Sequence, residues 1–138
     1  MEELAGITHA LVLSQPWASL TVEGPRRFHS IATRPASTIL RTRVAIYASK
    51  EPDLATGGQA MELLEAAGVT KAQQAAWTTR KTFGAIIGTA MVAGLVTEEE
   101  DPWFVGPYAL VLAERRPLAA PVVPSGTAMP SGWIWRFA

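Results

Sequence analysis

Residues 14–27, Ser-Gln-Pro-Trp-Ala-Ser-Leu-Thr-Val-Glu-Gly-Pro-Arg-Arg, decide how this chain folds. They predict the end of a strand, a short helix and a basic turn into the next strand. Proline has a fixed φ and no N–H, so Pro16 suits a first helical turn. Gly24 is expected to take the left-handed conformation that ends many helices, and Pro25 stops the helix from continuing. Two arginines follow this stop directly.

The start of this helix is predicted to bind an anion. A helix N-terminus offers free N–H donors and partial positive charge, which suits a phosphate or a carbonyl oxygen. Gln15 can add an amide and Trp17 a flat ring beside it, while Arg26 lies just past the helix. The stretch therefore predicts a cleft that holds an anionic or strongly polar group.

Apolar runs on both sides of this stretch predict five or six short strands. Residues 7–14 form a buried run, residues 41–47 alternate arginine with apolar residues as a half-exposed strand does, and residues 83–92 are apolar on both faces. Gly84 and Gly88 in the last of these let another backbone or a ligand approach closely. The other predicted pieces are strands at 27–32 and 108–113, an extended connection with Pro117, Pro121 and Pro124, and a final strand with Trp133, Trp135 and Phe137 on one face.

The middle of the chain predicts two short helices. Thr56 and Gln59 fit one capping box, and Thr70 and Gln73 fit a second, with Gly68 closing the first helix. Short strands with a few small helices indicate an α+β fold: a small, partly closed β-barrel of about five or six strands with short helices capping its ends. At 138 residues, we expect residues 1–138 to form a single domain.

Composition excludes several classes of protein. Hydrophobic residues make up 49% of the chain and charged residues 17%, which is typical of a folded domain. Apolar runs are far shorter than the ~18 residues that a membrane span needs, so we expect no membrane association. The acidic start of the sequence differs from a basic secretory signal, and we predict a cytoplasmic protein. With no cysteine and two histidines, we expect no metal site and no cofactor.

Charge is balanced overall but uneven along the chain. Twelve basic and twelve acidic residues give zero net charge, which argues against a protein that coats duplex DNA. The segment from residue 26 to residue 50 nevertheless holds no acid and six basic residues: Arg26, Arg27, Arg34, Arg41, Arg43 and Lys50. These residues form either solvated surface charge or a cationic rim around one pocket.

Several motifs together resemble the ASCH domain, a relative of the PUA-like RNA-binding barrels. The pieces are Leu13-Ser14-Gln15-Pro16-Trp17-Ala18, Gly24-Pro25-Arg26, Ile46-Tyr47-Ala48-Ser49-Lys50, Gly84-Ala85-Ile86-Ile87-Gly88, Gly106-Pro107-Tyr108, Arg116-Pro117-Leu118 and Trp135-Arg136. They occur in the family's order and span almost the whole chain. The resemblance implies a PUA-like barrel and RNA or nucleotide ligands.

The chain departs from the family pattern where that pattern carries chemistry. The family's Gly-x-Lys-x-x-Glu/Thr-x-Arg has Arg26 in the lysine slot, His29 in the Glu/Thr slot and Ile31 in the arginine slot. Arg34 lies in a shifted position where it can supply the missing guanidinium. The resemblance also implies an alternative function, an amidohydrolase acting on acetylated cytidine or a related modified nucleoside. Arginine cannot replace lysine as a base because its pKa stays too high, so the candidate catalytic residues are His29 as base and Arg26 as electrostatic stabiliser.

The favoured hypothesis is a binding module for RNA, a nucleotide or a modified nucleoside, without the family's lysine-dependent chemistry. Arginine forks suit phosphate, aromatic faces suit bases and amides suit base edges. A third possibility is a protein-interaction domain with a decayed pocket, in which Trp103 and Phe104 form the interaction surface. The alternative for these two residues is a loop that is anchored on the core. The predicted ligand-binding residues are Ser14, Gln15, Pro16, Trp17, Arg26, Arg27, Arg34, Arg41, Tyr47, Ser49 and Lys50.

Overall fold

A computed structural model of the chain describes residues 2–31, 35, 37–50, 57–78, 82–98, 100–101, 103–104, 106–124 and 134–136. The strands are β1 (His9–Leu13), β2 (Phe28–Ile31), β3 (Arg43–Ala48), β4 (Ala85–Val96), β5 (Tyr108–Val122) and β6 (Ile134–Arg136). The helices are α1 (Trp17–Val22), α2 (Gly57–Ala66) and α3 (Lys71–Thr78), with 3-10 turns at Glu2–Leu4 and Ser37–Ile39. Arg34, Thr56, Trp133 and Phe137 lie outside the described residues.

One six-stranded sheet organises these elements, in the order β2-β5-β4-β3-β1-β6. Strands β1 and β3 are parallel, and the other neighbouring pairs are antiparallel. The sheet curls into a half-barrel with three short helices, so the prediction of an α+β fold with a partly closed barrel is confirmed.

The sheet is covered on both faces. Leu11 and Ile46 pack with α1 in one apolar cluster, whereas Ala10 and Tyr47, each next to one of them in sequence, pack with Trp135 in another. Successive residues of a strand point to opposite faces, so β1 and β3 must be apolar throughout. The prediction of a half-exposed strand at residues 41–47 was therefore wrong: β3 is buried after Arg43 because it lies between β1 and β4.

Strand β5 runs farther than predicted, through Pro117 and Pro121 to Val122. It pairs with β4 along this length, whereas β2 pairs with it only over Tyr108–Val111. On the side of β5 that faces β2, the last backbone bond in the described residues runs from the Leu112 N–H to the Arg27 carbonyl oxygen at 2.8 Å, and beyond it a proline loses no ladder hydrogen bond to a described strand. Pro117 and Pro121, which predicted a connection, therefore lie within β5, and Pro124 follows the strand.

Helix α1 packs directly on β4 at Gly88. A Cβ on this glycine would lie 2.6 Å from Val22 Cγ1 and 2.7 Å from the carbonyl oxygen of Arg116. The close approach predicted for this glycine is confirmed, and the group that approaches is the first helix. The contact places the C-terminal end of α1, and the turn that follows it, over the sheet.

Gly24 has a different role from the one predicted, since it is not among the glycines with positive φ. The C-cap of α1 is Glu23, in right-handed conformation. A Cβ at Gly24 would lie 2.9 Å from the carbonyl oxygen of Leu20. Glycine is required here because the backbone doubles back tightly on the helix, and not for a left-handed cap. The prediction that Gly68 closes α2 is confirmed, and its φ of +76° lies in the left-handed region.

Candidate anion-binding site

A pocket of about 300 Å³ opens where β1 ends and α1 begins. Its apolar lining is Val12, Leu13, Trp17, Leu63 and Trp103. Its polar lining is Ser14, Arg26, His29, Ser30 and Gln59. Four of the predicted site residues, Ser14, Trp17, Arg26 and His29, are therefore brought together in one place.

Arg26 is oriented by three contacts within the pocket. Its Nη1 donates to Thr21 Oγ1 at 2.8 Å, and its Nη2 donates to His29 Nδ1 at 3.3 Å. The guanidinium carbon also lies 5.5 Å from the centroid of the Trp17 ring, within the range of a cation–π contact. Thr21 Oγ1 in turn donates to the Trp17 carbonyl oxygen at 2.8 Å, which fixes this acceptor to α1.

The contacts of Arg26 with the described residues are all with uncharged groups. Among the residues that the structure describes, the ion pairs are Arg27–Asp101, Arg43–Glu114 and Arg116–Glu114, and none includes Arg26. Burial lowers the pKa of Arg26 from its ordinary value to about 10, so the group remains charged at neutral pH. The pocket therefore holds a positive charge that has lost part of its hydration and that no described carboxylate neutralises.

His29 is a neutral residue in this arrangement. Burial, with a smaller contribution from the charge of Arg26, lowers the pKa of His29 to about 3. Arginine can only donate, so Nδ1 must accept the hydrogen bond from Arg26 and Nε2 must carry the ring proton. Such a ring is a poor general base because its lone pair is engaged and its pKa is far below neutral. The amidohydrolase alternative stays a prediction.

The depressed pKa of His29 predicts a pH-dependent stability. In the unfolded chain His29 takes up a proton near pH 6.5, and in the folded chain it does not until about pH 3. As far as His29 is concerned, the free energy of unfolding is therefore highest above pH 6.5 and falls as the pH decreases toward 3. We expect His29→Asn to remove a slope of up to about 1.4 kcal/mol per pH unit in this window. Urea unfolding of both proteins between pH 7 and pH 4 measures the slope. Identical slopes would contradict the assignment.

The predicted anion site at the start of α1 is not available. The N–H of Ala18 donates to the Ser14 carbonyl oxygen at 3.1 Å, and the N–H of Leu20 donates to the Pro16 carbonyl oxygen at 3.1 Å. The N–H of Ser19 donates to Gln15 Oε1 at 3.0 Å. The chain itself satisfies these donors, so the positive charge of the pocket comes from Arg26 and not from the helix. Pro16 is the buried N-cap residue and does not line the pocket.

Gln15 is fully buried and serves the fold. Besides accepting from Ser19, its amide donates from Nε2 to the Thr82 carbonyl oxygen at 2.9 Å. Both ends of the amide are thus used between α1 and the segment before β4. Because Gln15 is fully buried and hydrogen-bonded at both ends of its amide, it presents no exposed group for the predicted recognition of a base edge.

Removing the Gln15 amide is expected to destabilise the protein strongly. Gln15→Ala leaves two buried backbone groups without a partner and a cavity, which together cost about 2–4 kcal/mol. Gln73, whose side chain is exposed on α3, supplies the matched control, and Gln73→Ala should change stability by less than about 0.5 kcal/mol. Chemical denaturation measures both variants. A Gln15→Ala protein as stable as the control would show that these hydrogen bonds contribute little.

Two predicted site residues face other parts of the molecule. Tyr47 is buried against Trp135, with ring centroids 5.4 Å apart, in the cluster on the opposite face of β3 from Ile46. Arg41 is exposed, precedes β3 and bonds through its N–H to the Val92 carbonyl oxygen, at the other end of β3 from Ser49. Neither lines the pocket.

Three further predicted residues lie near the pocket without lining it. Arg27 is largely exposed, lies 5.0 Å from the Phe28 ring centroid and pairs with Asp101 at 3.7 Å. Ser49 donates its N–H to the Leu13 carbonyl oxygen at 2.9 Å, which places it at the same end of the sheet as the pocket. Lys50 follows Ser49 and is exposed. Arg27, next to Arg26, and Lys50, next to Ser49, add positive charge at this end of the sheet.

Some residues of the pocket were not predicted. Trp103 is buried, as expected for a loop anchored on the core, but it also forms a wall of the pocket, with its ring edge-on to Trp17 at 6.5 Å. Gln59 and Leu63 reach the pocket from α2, more than 40 residues after Trp17 in sequence. Only Ser30 carried a local signal, since it follows His29 in a predicted strand.

The described part of the chain contains neither a metal-ligating cluster nor a membrane-spanning helix. No group of three or more His, Asp or Glu side chains there is arranged to hold a metal ion. No helix in the same residues has the length and apolar character to cross a membrane.

The fold and the pocket together define an α+β half-barrel domain with a cationic turn after its first helix. An ASCH protein from Zymomonas mobilis superimposes on it with a TM-score of 0.50 at 15% identity, over 94% of this chain and 87% of that one. A point mutant of ZmASCH gives a TM-score of 0.52 at 12% identity, over 94% and 89%. No family model and no curated protein matches the sequence. The chain therefore has the ASCH fold, and the resemblance of its motifs to that family is confirmed for the fold.

Proposed function

We propose that this protein is an ASCH-type module that binds RNA or a nucleotide through the Arg26 pocket. The observation that carries the proposal is the partly buried guanidinium of Arg26, which contacts only neutral groups of the described chain. Removing a cation from water without a counter-charge is unfavourable, and an anionic ligand removes this cost. Arginine also presents a fork of donors that matches a phosphate.

The pocket has room for one nucleotide rather than a duplex. Its volume of about 300 Å³ lies at the lower end of the range for small-molecule sites. Two of the five guanidinium N–H donors are used by Thr21 and His29, so three remain for a ligand. Trp17 holds Arg26 against its ring, and the hydroxyls of Ser14 and Ser30 lie beside it. This combination suits a phosphate with an attached base or ribose.

Charge outside the pocket supports single-stranded RNA over duplex. Arg27 is largely exposed and its pairing with Asp101 is long, so a phosphate can compete for it at low cost. With zero net charge, the protein can neutralise only a few phosphates, those near Arg26, Arg27 and Lys50. A short unpaired segment meets this requirement, because its bases are accessible and its backbone can bend into a small pocket.

Equilibrium binding to a fluorescein-labelled five-nucleotide RNA tests the proposal. We expect binding to the single strand, weaker binding to a duplex of the same length, and a log–log salt slope of about −0.7 for each phosphate neutralised. A thermal-shift series with nucleotides and nucleosides identifies the minimal ligand, because a ligand at a hundredfold its Kd adds about 2.7 kcal/mol of stability. No binding to any of these ligands at low salt would contradict the proposed function.

A further inference from the structure

Arg115 holds the turn that carries Arg26. Its Nη1 donates to three backbone carbonyl oxygens, of Thr21 at 3.1 Å, Gly24 at 2.8 Å and Arg26 at 2.9 Å. The Thr21 carbonyl belongs to the last turn of α1, where helical C=O groups have no partner within the helix, and the Gly24 and Arg26 carbonyls belong to the turn that follows. A single guanidinium nitrogen therefore fixes both ends of the turn between Thr21 and Arg26.

Arg115 is part of a bulge in β5. Thr89 pairs with Arg116 and Met91 with Ala113, so two residues of β5, Glu114 and Arg115, oppose one residue of β4. Glu114 has a φ of 44°, and its carbonyl oxygen accepts from Arg43 Nη1 at 3.0 Å. Bulges change the direction of neighbouring side chains and occur often beside functional sites. In β5 the bulge contains Arg115, whose side chain reaches the end of α1.

The same turn determines where the Arg26 guanidinium lies. Thr21, at its start, accepts from Arg26 Nη1 at 2.8 Å, so two of the three residues held by Arg115 are also bonded to each other. Gly24 lies between them, where the backbone is too close to Leu20 for a side chain. A shift of this turn therefore moves both Arg26 and the threonine that orients it.

We propose that Arg115 is a positioning residue for the anion pocket: by holding the carbonyls of Thr21, Gly24 and Arg26, it fixes the guanidinium of Arg26 where a phosphate binds. This inference rests on the proposed function for its ligand, but the positioning itself can be measured without one. Arg115 does not line the pocket, so its effect must pass through Arg26.

Arg115→Met tests the proposal, with Arg116→Met as the matched control. Arg116 is the next residue, is largely exposed and pairs with Glu114, so its replacement removes the same charge without touching the turn. We expect Arg115→Met to weaken binding of the five-nucleotide RNA by at least about tenfold and the control by less than about threefold. Circular dichroism and thermal melting establish that each variant is folded.

The second readout is the titration of His29 followed by NMR. In the wild type this ring stays neutral to about pH 3 because it is buried and faces Arg26. If Arg115→Met releases the turn, water should enter and Arg26 should move away, and both changes raise the pKa of His29 toward its ordinary value. A general loss of stability would instead leave the pKa of His29 in the folded state unchanged. If wild type binds no RNA but the His29 pKa rises in Arg115→Met, the positioning role stands and the RNA ligand is wrong.

Wild-type RNA affinity together with a wild-type His29 titration in Arg115→Met would overturn the proposal. Should Arg115→Met fail to fold, Arg115→Lys decides, because it keeps the charge and shortens the reach to the three carbonyls. We expect it to bind RNA at least about threefold more weakly than Arg116→Lys and to raise the pKa of His29. Values equal to those of Arg116→Lys in both measurements would overturn the proposal equally.

Discussion

Replacing Arg26 by glutamine is expected to weaken binding of the five-nucleotide RNA by about 10- to 100-fold at low salt. The substitution removes the charge that faces the pocket, and a charge-assisted hydrogen bond contributes about 1.5–3 kcal/mol. One phosphate contact fewer should also reduce the log–log salt slope by about 0.7. Fluorescence anisotropy across a salt series measures both effects in one experiment.

Two other variants make this result specific. Arg116→Gln removes one positive charge from an exposed position that pairs with Glu114, so it reports the effect of net charge alone. Arg26→Lys keeps the charge but loses the planar fork that bonds Thr21 and His29, and we expect it to fall between wild type and Arg26→Gln. Equal affinity and equal salt slope for wild type and Arg26→Gln would refute the assignment of the pocket.

Substituting alanine for Gly88 is expected to destabilise the fold by about 3 kcal/mol, which corresponds to a loss of roughly 10 °C in Tm. The added methyl group would overlap both the Val22 side chain of α1 and the Arg116 carbonyl oxygen of β5, at 2.6 and 2.7 Å. Backbone on one side and a packed helix on the other leave little room for adjustment. The helix must therefore move away from the sheet.

Gly94 supplies the control for this substitution within the same strand. A Cβ built on it meets nothing within 4 Å, and its φ is not in the left-handed region. Gly94→Ala should therefore be neutral or slightly stabilising, because alanine loses less conformational entropy on folding. Thermal and urea unfolding of the two variants give the difference directly. Similar stabilities would show that α1 can shift on the sheet without cost.

The predicted elements near α1 agree with the structure because their signals are local. The apolar run before Ser14 forms β1, the short helix ends before Gly24, and a strand follows the two arginines. Proline, glycine and apolar periodicity act on the residues next to them, so these boundaries do not depend on distant partners. The same holds for Gly68, which ends α2 with a positive φ.

The roles of individual side chains could not be read from the sequence where other residues of the fold use the same groups. Gln15 has the amide expected of a ligand-binding residue, but Ser19 and Thr82 use both its ends. Tyr47 precedes Ala48-Ser49-Lys50 as the family motif requires, yet its ring packs on Trp135 at the far end of the chain. A sequence shows which donors and aromatic rings exist, and does not show which of them are already satisfied.

The sequence by itself determined the order of strands and helices along the chain, the curled α+β fold that its motifs share with ASCH proteins, and the presence of an arginine just after the first helix. Short-range sterics and hydropathy are sufficient for the order of the elements, because they act between residues close in the chain, whereas the fold is what the resemblance of the motifs implied. The tertiary structure alone decided that Arg26 points into a pocket, that the described chain places no carboxylate against it, and that Arg115 holds its turn from 89 residues away. Burial and hydrogen-bond satisfaction depend on neighbours in space, so these properties exist only once the sheet has formed.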